Sequence, residues 1–75
     1  MKIEVKDLKI NDIFTESGIT IKVSEIIKRD FENGKEGYVV CGNAIKHNVK
    51  MYGKNAKFGL GTYHKRANTK INVKR

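Results

Sequence analysis

Ile19-Thr20-Ile21-Lys22-Val23 alternates apolar and polar side chains without interruption, and a period of two marks a strand with one buried face. Just upstream, Ser17-Gly18 is a turn signal and Ile13-Phe14-Thr15-Glu16 a second short run, so the economical reading is a hairpin. Downstream the phase breaks. Ile26 and Ile27 are adjacent and cannot both point inward on a regular strand, which predicts a β-bulge or strand end near Glu25. Asn33-Gly34 can supply the positive φ angles of a tight turn, and it stands between Ile26-Ile27 and Tyr38-Val39-Val40-Cys41. A second hairpin is therefore expected, with a polar tip over residues 29–36.

The remaining segments carry the same signals. Ile3 and Val5 alternate with Lys2, Glu4 and Lys6 as in a half-buried strand, and residues 7–12 read as an irregular bend. Residues 44–52 can be a strand or a helix with Ile45, Val49 and Tyr52 aligned. The strand is preferred because Asn48, Val49 and Gly53 are poor helix formers, although a short helical turn at 43–48 is compatible. Gly53-Lys54-Asn55 and Ala67-Asn68-Thr69 are turn candidates, and Lys70-Ile71-Asn72-Val73-Lys74 alternates again. Gly59 and Gly61 leave one face of Phe58–Thr62 without side chains, which suits a sharp sheet bend or a close approach of backbone or ligand. With 75 residues and 8.5 kDa there is room for one domain, residues 1–75, burying only roughly 60% of its unfolded surface. The expected fold is all-β, or mainly β with one short helical turn: a small curled antiparallel sheet or SH3-like barrel of five to six strands. Its expected core is Ile13, Phe14, Ile21, Val23, Val39, Cys41, Leu60, Ile71 and Val73, with Tyr38 and Phe58 also assigned inside.

Val5-Lys6-Asp7-Leu8-Lys9-Ile10-Asn11-Asp12-Ile13-Phe14, followed by Ser17-Gly18-Ile19 and Lys22-Val23-Ser24-Glu25-Ile26, resembles the opening of many small SH3-like β-barrel proteins. These include proteins encoded by phages and mobile elements of Gram-positive bacteria. The resemblance covers about a third of the chain and implies a first strand, an entry bend and a first hairpin. Asn11 stands where a glycine is usual. Because such barrels serve as nucleic-acid readers, peptide binders and inhibitors, the resemblance assigns no functional residue.

Composition narrows the function. Hydrophobic residues are 39% of the chain and charged residues 32%, too apolar for a disordered tail. A single Cys excludes a disulfide framework and a four-cysteine metal site. The N-terminus lacks an apolar signal-peptide centre and no segment approaches the roughly 20 apolar residues that cross a bilayer, so a cytoplasmic protein without membrane association is expected. Cys41 reads as a small core residue rather than a nucleophile. Cys41, His47 and His64 match no common zinc spacing, and the scattered acids form no acid–base pair. Neither the Gly34-Lys35-Glu36-Gly37 string nor Gly59-Leu60-Gly61 has the setting of a nucleotide-binding loop. No enzymatic activity, cofactor or metal is expected.

Charge is the strongest functional signal. The net +8 divides unevenly: residues 1–34 hold six basic and seven acidic groups, whereas residues 35–75 hold ten basic groups and one acid, Glu36. A folded surface of one sign attracts polyanions, nucleic acid first among them. Lys46, Lys50, Lys54, Lys57, Lys65 and Arg66 are the candidate phosphate contacts, and Tyr52 and Tyr63, set among them, are candidates for stacking on bases. With three arginines in the chain, bidentate readout of guanine is poorly supplied and sequence specificity is expected to be limited. DNA or RNA is thus the expected partner. The alternative is a protein-binding module, or a mobile-element inhibitor, that docks the same basic face on an acidic or nucleic-acid-binding host protein.

Overall fold

The computed structural model describes residues 1–31 and 34–75. Six strands form one antiparallel sheet: β1 (Lys2–Glu4), β2 (Ile13–Glu16), β3 (Ile19–Asp30), β4 (Glu36–His47), β5 (Leu60–Arg66) and β6 (Lys70–Lys74), in the order β1-β6-β2-β3-β4-β5. A 3-10 turn at Val5–Asp7 and a one-turn helix α1 (Val49–Tyr52) complete it. No helix among the described residues is long and apolar enough to cross a membrane.

Both hairpins form. β2 pairs with β3 around Ser17-Gly18, with Phe14 opposite Ile21. β3 pairs with β4 from Ile19↔His47 to Asp30↔Glu36. Asn33 lies outside the described residues; Gly34, at φ +74°, donates its N–H to the Phe31 carbonyl. The register slips between Val23 and Glu25, the bulge expected from the adjacent isoleucines, and slips a second time between Thr20 and Ile21. Asn11 adopts φ +77°, a left-handed conformation that asparagine tolerates, and its N–H binds the Val23 carbonyl at 2.8 Å. That bond docks the entry bend on the middle of β3.

The sheet is strongly curled. β2 and β5 are three strand positions apart, about 14 Å in a flat sheet, yet Phe14 and Tyr63 meet edge to face with ring centroids 5.8 Å apart. Gly42 permits the bend, because a Cβ there would collide with Ile21 and the Lys22 carbonyl. Inside the curl lie Val5, Leu8, Phe14, Ile21, Val23, Val40 and Val73, all buried. The 3-10 turn closes one end, bonding through Val5 and Lys6 N–H to the Thr69 and Ala67 carbonyls. One buried carboxylate, Asp12, accepts from the Lys9 N–H at 2.9 Å and from Arg75 Nε at 3.0 Å, and so ties the last residue to the entry bend.

Several expected core positions are corrected. Ile13, Val39 and Cys41 are only half-buried and lie outside the core cluster, Leu60 is 67% exposed, and Ile71 is half-buried but packs against the core as expected. Adjacent residues alternate faces, so Phe14 turns inward and Ile13 out; in the unbroken apolar run of β4, Val40 takes the inward place. Leu60 opens the outermost strand, where no further strand covers it. Phe58 is on the surface at 36% exposure, whereas Tyr38 packs partly against the core. Residues 44–52 divide between both readings, with strand through His47 and then helix. Asn48 is a poor interior helix residue but an effective N-cap, its Oδ1 accepting from the Lys50 and Met51 N–H groups at 2.9 and 3.3 Å.

Ile21→Ala is expected to lower the unfolding free energy by about 2–5 kcal/mol, and Leu60→Ala by less than about 0.5 kcal/mol. Urea denaturation of the two variants distinguishes them, and comparable losses would show that the inward face is assigned wrongly.

Candidate nucleic-acid interface

The candidate cations fall into three settings. Lys46 is near the end of β4, Lys50 lies on α1, and Lys54 and Lys57 follow in the connection to β5; all four are exposed. This lobe is fastened to the first hairpin turn. The Asn48 N–H donates to the Gly18 carbonyl at 2.7 Å, and the Tyr52 hydroxyl donates to the Ser17 carbonyl. Within it, Phe58 packs edge-on against Tyr52 at 4.9 Å and tilted against His47 at 5.5 Å. His47 Nε2 donates to the Gly53 carbonyl at 2.9 Å. Tyr52 is therefore half-buried and held by both its ring and its hydroxyl, while Phe58 presents part of its ring to solvent beside Lys57.

Tyr63 and Lys65 are turned into the curl. The Tyr63 ring contacts Phe14 and lies over Gly61, where an added Cβ would come within 2.7 Å of its hydroxyl oxygen. The side-chain-free face noted in the sequence is thus occupied at Gly61 by the tyrosine two residues on, whereas at Gly59 it meets open space. Burial raises the Tyr63 pKa above its ordinary value, with the Glu16 carboxylate and then Tyr52 adding to the effect. Lys65, half-buried, forms an ion pair with Glu16 across the curl. Arg66 alternates with it and is exposed. Of the other arginines, Arg29 donates to His64 Nδ1 at 3.2 Å and Arg75 is engaged by Asp12.

A third setting was not apparent from the sequence. The β2–β6 pairing comprises Ile13↔Lys74 and Phe14↔Val73 and then ends. Residues of this pairing and just past its end line an open groove of about 1000 Å³. Lys70 and Lys74 stand on one side and Lys46 on the other, with Thr15 and Thr20 between them. Every charged side chain lining this groove is basic. In the sequence Lys70 and Lys74 are the polar ends of an alternating run; only the placement of β6 beside β2 brings them to the same groove as Lys46. Among the described residues, Lys46, Lys50, Lys54, Lys57, Arg66, Lys70 and Lys74 form no ion pair.

Cys41, His47 and His64 do not come together, and no group of three or more His, Cys, Asp or Glu among the described residues is placed to hold a metal ion. Comparison with known proteins finds no matching family model, no matching curated protein and no matching solved structure.

The Tyr63 shift has a definite sign. A pKa raised by folding means that the native state holds this proton longer than the unfolded chain, so stability falls as pH rises above the ordinary value of 10.0. Urea midpoints measured from pH 9 to 11 should decline less steeply in Tyr63→Phe than in the parent protein. Identical slopes would place Tyr63 in solvent.

Proposed function

We propose that the protein binds nucleic acid through the sugar–phosphate backbone, with limited sequence specificity. The observation that carries this reading is the division of its cations. Lys65 and Arg75 are paired with carboxylates on the body of the sheet, whereas the exposed lysines of the α1 lobe and of the groove have no acidic partner among the described residues. Unneutralised cations on a folded surface gain from releasing counterions at phosphates. Lys46 lines the groove and stands near the end of β4, just before the α1 lobe in the chain. Arg66 is the one arginine without a described acid or histidine partner, which supports backbone contact over base-edge readout. Tyr63 supplies framework to this surface, and the exposed portion of Phe58 with Tyr52 is its available aromatic face.

If about four to six cations touch phosphate, the logarithm of affinity falls against the logarithm of salt with a slope of roughly −3 to −5. Fluorescence anisotropy with labelled single and double strands measures it. Lys50→Ala is expected to weaken all sequences alike and to flatten the slope by somewhat less than about one unit. An absence of binding to either strand type at low salt overturns the reading and gives the basic surface to an acidic protein partner instead.

A further inference from the structure

The groove beside β6 differs from the rest of the basic surface in having a floor. Ile13 and Ile45 are apolar and accessible there, and the Thr15 and Thr20 hydroxyls lie 3.0 Å apart between the lysine walls. Its edge also presents backbone. Val73 exchanges both of its backbone bonds with Met1, and the Thr69 carbonyl accepts from Val5. Odd-numbered residues of β6 therefore bond towards β1, and even-numbered ones turn their N–H and C=O towards β2. Continuing the register would pair Asn72 with Thr15, but pairing stops one residue earlier. Because Val73 bonds to Met1, the Phe14↔Val73 pair is held through its flanking residues, with the Thr15 N–H donating to the Asn72 carbonyl, and it is the Asn72 N–H that is left facing the groove.

Resting on the nucleic-acid reading, we propose that this groove takes a short stretch of single-stranded nucleic acid. Its phosphates lie against Lys46, Lys70 and Lys74, and its unpaired bases enter over Ile13, Ile45 and the Asn72 N–H. A duplex keeps its bases stacked inside and can offer the groove phosphates alone, leaving the apolar floor without a partner. A single strand supplies all three complements: charge for the walls, flat apolar faces for the floor, and acceptor edges for the Asn72 N–H. Lys50, Lys54 and Lys57 line no part of this groove, and their phosphate contacts are open to either strand type; stacking in the lobe falls to Phe58 and not to its lysines.

The test compares two variants that each remove two exposed positive charges. Lys70→Ala with Lys74→Ala empties one wall of the groove, and Lys50→Ala with Lys54→Ala strips the lobe. A labelled oligonucleotide and its hairpin duplex of equal phosphate number are titrated against the parent and both variants. The parent should favour the single strand. The groove variant should lose about tenfold in single-strand affinity and much less for the duplex, which removes the preference. The lobe variant should weaken both ligands by the same factor. Ile45→Ser, which changes no charge, should lower single-strand affinity alone. If both double variants weaken the two ligands in the same proportion, the groove is not a single-strand site, although backbone binding stands. Parent protein that binds neither ligand overturns the general reading itself, and better competition by polyglutamate than by an oligonucleotide of equal charge overturns the choice of occupant.

Discussion

Phe14 and Tyr63 touch only because the sheet between them is bent nearly back on itself, and most of the molecule depends on that bend. A chain of 75 residues cannot supply a second layer to cover its apolar face. It must cover that face with the other end of the same sheet. Gly42 removes the side chain that would strike Ile21, and Gly61 vacates the space into which the Tyr63 ring folds. The bulge between Val23 and Glu25 adds twist to the long β3–β4 hairpin at the same level. These local features converge on one result, a core in which residues from β2, β3, β4 and β6 share a single interior with Val5 and Leu8.

The same curl sorts the charges. Glu16 is carried inward on β2 and meets Lys65 arriving from β5, and Asp12 is buried at the entry bend where Arg75 reaches it. These carboxylates hold parts of the sheet that no ladder hydrogen bond joins. A half-buried pair of this kind contributes modestly to stability but fixes geometry, since losing either partner strands a charge in a poorly solvated place. The acidic first half of the chain thereby neutralises selected cations of the second half and leaves the others outside. Net charge alone could not show which lysines remain free. That distinction comes from the fold.

Much of the architecture was legible because it rests on local chemistry. Alternation from Ile19 to Val23 and from Ile71 to Val73, the Ser17-Gly18 turn and the adjacent pair Ile26-Ile27 each act within a few residues, and the strands and the bulge lie where those signals put them. Tyr38-Val39-Val40-Cys41 failed as a guide to burial because an unbroken apolar run has no parity; the inward choice of Val40 is set by its neighbours across the sheet, Ile26 and Tyr63. Asn48 was misjudged because its value lies at a helix boundary, not within a helix. The grouping of Lys46 with Lys70 and Lys74 was illegible for another reason. It depends on β6 crossing to β2, a long-range pairing that no local pattern announces.

That crossing also bears on what the basic surface can do. Lys70 and Lys74 could sit on a frayed C-terminal strand, in which case any polyanion bound there would have to order the strand first and would bind more weakly for it. Here β6 is held on both sides, by Met1 and β1 along one edge and by Ile13 and Phe14 along the other. Arg75 then anchors its end through Asp12 and the Asp7 carbonyl. Arg75, just past the strand, is thereby engaged by the protein itself, and the two lysines of β6 are set in place beside the groove. Pairing with β2 ends at Phe14↔Val73 and does not extend to Thr15, which leaves the Asn72 N–H without a ladder partner. A strand fixed so firmly at its end and yet released beside a row of lysines is physically consistent with a site that a ligand, not another strand, completes.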